Sequence, residues 1–193
     1  SCGNNSDQYT ALGFEGSAAR IYFQHFATMF KSPEIATEWA FSGRNRRPPR
    51  DPINAMLSFG YAILAKECTV VLLAEGLDPY WGLYHQPRHG RPALALDFME
   101  PLRPLIVDSA LLTAVNTGMV AQRNFTCTQA GCTMNPKARK AFIRAYESRL
   151  DQLITHPAFD YKCSWRAAIR IQARLLARWL RRDIPNYESF TTR

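Results

Sequence analysis

The stretch DPINAMLSFGYAILAKECTVVLLA, Asp51 to Ala74, constrains this chain more than any other. Asp51 followed by Pro52 is a helix start. An aspartate side chain accepts hydrogen bonds from the first backbone N–H groups, and proline suits the first helical position because its missing N–H would have no partner there. The run from about Pro52 to Ala74 is apolar on nearly every side, in AMLSFGYAIL and again in TVVLLA. A helix without a polar face has to be surrounded, which places it in the centre of a bundle.

The rest of the chain supplies helices to surround it. From Asp7 to Phe30, apolar residues recur at Ala11, Leu12, Ala18, Ala19, Tyr22, Phe23, Phe26 and Phe30, a helical spacing. SGRNRRPPRDP, Ser42 to Pro52, is a loop. EGLDPYWGLYHQPRHGRP is a break with glycine and Asp-Pro signals. A helix is expected from about Ala93 to Thr117, kinked or broken at Pro101 and Pro104. FTCTQAGCTMNP reads as a loop with room for a short strand pair. Asn135-Pro136 starts a helix to about Ile154, and a last helix runs from about Lys162 to Arg182. No set of alternating strands appears, so the expected class is all-α. At 193 residues the chain suits one helical domain, 1–193, with a start over about 1–10 and a tail over 184–193.

Composition narrows the partners. Lys plus Arg is 24 and Asp plus Glu is 16, a net charge of +8 carried mostly by arginine, which points first to a nucleic acid. No window of about 18 uncharged apolar residues exists, so no membrane span is expected. The N-terminus, SCGNNSDQ, lacks the basic and apolar regions of a secretory signal. Five scattered cysteines, an odd number, fit free thiols in a reducing cytoplasm. Cys127-x4-Cys132 is wider than a usual zinc pair and no second ligand pair follows it, which argues against a structural zinc.

Four acidic or imidazole positions stand out, at Glu15, Asp97, Glu100 and His85. Glu15 falls on the apolar face of its helix, beside Leu12, Ala18, Ala19, Tyr22 and Phe23. A carboxylate there must be paired, bind a metal, or reach the surface, since burial alone is costly. Asp97 and Glu100 are three apart and share one helical face. They are exposed, or Asp97 pairs with Arg103, or the two belong to a Mg²⁺ or Mn²⁺ site for phosphoryl chemistry. His85 lies in a loop, with His89 as a competitor. A mixed imidazole and carboxylate set suits Mn²⁺. Arg44, Arg46, Arg47 and Arg50 crowd one proline-stiffened loop, and guanidinium forks match phosphate oxygens. Arg166, Arg170, Arg174 and Arg178 recur every four residues, a stripe that is a solvated face, a protein-binding face or a DNA-facing one.

Four segments occur in an order that resembles a known family: LGFEGSAARIYF (Leu12 to Phe23), RNRRPPRDPINAMLSFGYAIL (Arg44 to Leu64), GLYH (Gly82 to His85) and ALDFMEPLRPLIVD (Ala95 to Asp108). They resemble the catalytic domain of the CRISPR-associated spacer-acquisition integrase, and IPNYESF (Ile184 to Phe190) is similar to that family's closing segment. The resemblance implies an all-helical catalytic domain without the family's N-terminal β-rich domain, as if excised from a longer protein or a fusion. It implies a metal-dependent DNA integrase or endonuclease with Mn²⁺ or Mg²⁺ on Glu15, His85 and Glu100. Asp97 becomes an alternate ligand or a residue that supports a ligand, and Arg44, Arg46, Arg47, Arg50 and Lys66 hold DNA phosphates. The implied partners are double-stranded spacer and repeat DNA, a second copy of the chain, and a small companion subunit bridging two dimers. Two other readings stay open: a DNA-binding or assembly module without activity in this shortened form, and a basic protein that binds partner proteins through Arg166 to Arg182.

Overall fold

A computed structural model of the chain describes residues 16–83 and 90–190. In chain order the described elements are α1 (16–25), a 3-10 turn Phe26–Met29, α2 (Pro33–Trp39), α3 (Pro52–Ala74), α4 (Ala93–Met99), a π-helical segment Arg103–Asp108, α5 (Ser109–Asn116), a 3-10 turn Gln122–Asn124, β1 (Phe125–Thr128), β2 (Gly131–Met134), α6 (Pro136–Asp151), β3 (Leu153–Thr155), β4 (Lys162–Ser164) and α7 (Trp165–Leu180). Among the described residues the strands form only two antiparallel pairs, and the class is all-α. They group into two compact units: residues up to Ser58 with Leu112–Ala141, and Phe59–Leu111 with Phe142–Arg193. The chain crosses from one to the other inside α3, α5 and α6.

α3 begins and ends where the sequence places it. Asp51 caps it, its Oδ1 accepting the Asn54 N–H at 2.8 Å. By length and composition alone α3 would cross a membrane. Here Ile53, Met56, Leu57, Leu64 and Leu72 are buried within the fold, and the helix carries Lys66 and Glu67 in its interior.

In the first unit Phe26, wholly buried, gathers an aromatic cluster. Phe41 lies 5.4 Å from it and Phe30 6.0 Å, centroid to centroid. α2, which the sequence reading missed, uses the same start signal as α3. The Ser32 side chain accepts the Ile35 N–H at 3.4 Å and Pro33 opens the helix. The hairpin β1–β2 sets Cys127 directly opposite Cys132, and the two are joined in a disulfide. This corrects the expectation of free thiols throughout: hairpin register, rather than sequence spacing, makes the pair. Cys68 and Cys163 are free and buried.

In the second unit the expected helix over 93–117 is broken after Met99. It resumes as the π segment, with Pro104, which has no N–H to give, at its start. Two boundaries also move. α6 stops at Asp151, and Leu153–Thr155 pairs with Lys162–Ser164 instead of extending the helices on either side. α7 then starts at Trp165, because the Ser164 hydroxyl caps it by accepting the Ala167 N–H at 3.2 Å.

Gly60 of α3 is where the π segment comes close. A Cβ there would stand 2.5 Å from Val107 Cγ1 and 3.1 Å from Phe142 Cζ. In an open helix Gly→Ala gains about 1 kcal/mol. Here the clash reverses the sign, and Gly60→Ala is expected to destabilise by about 1–2 kcal/mol, read as a lower urea midpoint.

His156 is wholly buried, with Phe159, Tyr161 and Phe190 around its ring at 5.1, 6.3 and 5.6 Å. Its Nδ1 accepts the Ala158 N–H at 3.3 Å, and burial pushes its pKa below the ordinary histidine value. The unfolded chain therefore takes up the proton first as pH falls. Stability from the neutral ring is complete above about pH 6.5 and is lost as pH drops toward the folded value, by at most about 1.4 kcal/mol per pH unit. Urea midpoints measured from about pH 7.5 down to about pH 5 should show this slope, and His156→Phe should flatten it.

Candidate functional site

Asp97 and Glu100 sit at the C-terminal end of α4, Glu100 in the capping position. They do different things. Asp97 Oδ2 accepts the Leu83 backbone N–H at 2.7 Å, so it holds the backbone two residues ahead of His85 in sequence. Glu100 Oε1 pairs with Arg103 Nη2 at 2.9 Å, with the Glu100 side chain 30% and the Arg103 side chain 18% exposed. The salt bridge that sequence spacing offered to Asp97 thus belongs to Glu100. An arginine clamp leaves a carboxylate able to ligate a cation, because each carboxylate oxygen has two acceptor sites.

Glu15, His85 and His89 lie outside the described residues. Among the described residues no three His, Cys, Asp or Glu side chains gather closely enough to hold a metal ion.

The arginine loop divides in two. Arg44 turns inward: its Nη1 donates to Asn54 Oδ1 at 2.7 Å and to the Asn45 carbonyl, and its Nη2 donates to Ser58 Oγ at 3.1 Å. Arg44 therefore staples the loop to the first turns of α3. Arg46, Arg47 and Arg50 are exposed, and none is ion-paired among the described residues. Asn54, wholly buried, is the hub. Besides Arg44 it accepts the Asn45 N–H at 3.0 Å, and its Nδ2 donates to the Gly43 carbonyl at 2.8 Å and to Asp51 Oδ2 at 2.6 Å. The prolines are held as well. The Pro49 carbonyl accepts the Cys132 N–H at 2.7 Å, and Pro48 lies so near Gly131 that a Cβ there would be 2.9 Å away. The outcome is a rigid platform for three free guanidinium groups, suited to phosphates.

Lys66 is exposed on α3. The α7 stripe is not uniform. Arg166 takes three carboxylates, Glu147 at 2.6 Å, Glu67 at 3.1 Å and Asp151 at 3.5 Å. Glu67 also accepts the Tyr146 hydroxyl at 2.7 Å, and burial together with the Glu67 charge pushes the Tyr146 pKa up, so that hydroxyl stays a donor. Arg174 pairs with Glu75 at 3.1 Å. Arg170 and Arg178 are exposed without an ion pair among the described residues. Half of the stripe is thus engaged in ion pairs within the chain.

Sequence reasoning missed Tyr61 and Asp108. Tyr61 donates its hydroxyl to Asp108 Oδ1 at 2.6 Å, and its ring lies 4.9 Å under the Arg103 guanidinium. The available signal was Asp108 itself, a lone carboxylate between LIV and SALL.

The family described as CRISPR associated protein Cas1 matches residues 3–148. A curated CRISPR-associated exonuclease Cas4/endonuclease Cas1 fusion from Geobacter sulfurreducens is 52% identical over 94% of this chain, and the chain spans 33% of its length. Among solved structures, a casposase bound to integration product superposes with a TM-score of 0.84 at 26% identity, covering 94% of this chain and 50% of that one. A Cas6-RT-Cas1–Cas2 complex matches with a TM-score of 0.77 at 30% identity, covering 95% of this chain and 19% of that one. The chain spans about a third of the fusion relative and half of the casposase.

Proposed function

The chain belongs to the CRISPR-associated Cas1 family, and on that premise we propose that it is a metal-dependent DNA integrase and endonuclease domain that joins spacer DNA to a CRISPR repeat. The observation that carries the proposal is the match to a casposase bound to integration product over nearly the whole chain. In the reaction a 3′-hydroxyl of a short DNA attacks a phosphodiester of a duplex. A new P–O bond forms as the bond to the target's own 3′ oxygen breaks, and no external energy source is needed.

Glu15, His85 and Glu100 are the residues that would hold Mn²⁺ or Mg²⁺. Two carboxylates and an imidazole are donors suited to such an ion, and the clamped Glu100 carboxylate supports the fit. Bound there, the ion would stabilise charge developing on the transferring phosphate. The chain's own residues do the rest. Asp97 holds the backbone two residues ahead of His85. Arg46, Arg47 and Arg50, with Lys66, take DNA phosphates, contacts that position the duplex without reading its sequence. Arg44 supports that surface through Asn54 and Ser58 of α3. The partners are double-stranded DNA, a second copy, and a small subunit of the Cas2 type, in keeping with the complex that the chain resembles. The setting is the cytoplasm.

The test is incubation of the chain with a labelled short duplex and a supercoiled plasmid, with and without Mn²⁺. Covalent joining that depends on Mn²⁺ is expected. DNA retention that weakens steeply with salt, but without product, would leave an assembly module instead. The α7 protein-binding reading is weakened by the internal pairing of Arg166 and Arg174.

A further inference from the structure

One α3 site grips the segment that follows Glu100. Gly60 leaves room for Val107. At the next residue, buried Tyr61 is held twice: Arg103 lies over its ring at 4.9 Å, and Asp108, 1% exposed, accepts its hydroxyl at 2.6 Å. Arg103 and Asp108 are five residues apart. On an α-helix they would point about 140° apart. The π segment, bonded i to i+5, sets them one turn apart on a shared face, so both reach one tyrosine. Arg103, seated on that ring, reaches Glu100 Oε1 at 2.9 Å.

We propose that Arg103 is a positioning residue for Glu100: held on the Tyr61 ring by the π segment, its guanidinium fixes the orientation of the carboxylate. This rests on the reading of Glu100 as a metal ligand. A planar guanidinium can stack with its face and donate with its edge at once, which a lysine ammonium cannot. The cost is a positive charge beside the expected cation. The sign of the effect on metal affinity therefore separates the alternatives: positioning makes removal of Arg103 weaken Mn²⁺ binding, and plain charge repulsion makes removal tighten it.

The experiment is Mn²⁺ titration of the whole 193-residue chain, followed by calorimetry and by the spin-resonance signal of free Mn²⁺, with thermal unfolding alongside. Arg103→Met is expected to weaken Mn²⁺ binding about tenfold, the usual scale for losing an outer-shell partner of a ligand. Arg103→Lys, which keeps the charge, should still bind several-fold more weakly than the parent, and it carries the test if the methionine variant does not fold. Tyr61→Phe keeps the ring under Arg103. It should leave Mn²⁺ affinity within about twofold while lowering the unfolding temperature, because the 2.6 Å hydrogen bond to Asp108 is lost. Unchanged or tighter Mn²⁺ binding in both Arg103 variants would overturn the positioning role, provided Glu100→Gln weakens binding. If Glu100→Gln binds Mn²⁺ as the parent does, the metal reading itself falls and this proposal with it.

Discussion

Glu100→Ala is expected to reduce Mn²⁺-dependent strand joining by about a hundredfold or more, while DNA retention in a gel shift stays within about twofold of the parent. The two readouts separate because the residue sits at a helix end rather than in the core. Its side chain is 30% exposed and pairs with Arg103. Pairs of this partly exposed kind contribute at most about 1 kcal/mol, so the variant should stay folded. Losing a carboxylate also leaves the basic surface intact, since Arg46, Arg47 and Arg50 belong to another part of the chain. Glu100→Gln sharpens the result. The amide oxygen still accepts from Arg103, so equal inactivity in the glutamine variant would assign the effect to the missing negative charge. Glu15→Ala and His85→Ala should fail in the same way. Full joining activity in Glu100→Ala would remove Glu100 from the site.

The parts of this fold that were legible in the sequence are those governed by local signals. α3 was legible at both ends because Asp51 and Pro52 mark its start and the apolar run defines its length. The break after Met99 was legible from Pro101 and Pro104. The parts that escaped are elements too short for a period to emerge, or they depend on strand pairing. α2 carries the Ser32-Pro33 signal but spans only seven residues, too short for a periodicity to emerge. The β3–β4 pair is three residues on each side. The Cys127–Cys132 bond requires a hairpin register. At the site, spacing brought Asp97 and Glu100 to one face, but only the fold divides their work, one to the Leu83 backbone and one to Arg103. Arg44 shows the same limit. In composition it is indistinguishable from Arg46 and Arg47, and it differs because Asn54 and Ser58 of α3 lie within its reach.

That difference yields a large stability effect. Asn54→Ala is expected to destabilise the chain by about 3 kcal/mol, because several buried groups lose their partners at once. The side chain is wholly buried and serves four groups: the Arg44 guanidinium, the Asn45 N–H, the Gly43 carbonyl and Asp51 Oδ2. Alanine leaves each short of a partner and leaves a cavity between the loop and α3. Asn54→Asp discriminates between hydrogen bonding and volume. It retains the acceptor for Arg44 and Asn45 but loses the donor to Gly43, and it sets a second carboxylate against Asp51, so it too should destabilise. Ser58→Ala removes one 3.1 Å contact and should cost about 1 kcal/mol or less. Urea unfolding of the three variants gives the ordering. The loosened loop should also weaken DNA retention in Asn54→Ala at temperatures where it is still folded, because Arg46, Arg47 and Arg50 then lose their fixed spacing. An Asn54→Ala midpoint equal to that of Ser58→Ala would mean that the loop is held by its prolines alone, through the Pro49 carbonyl and the Pro48–Gly131 contact.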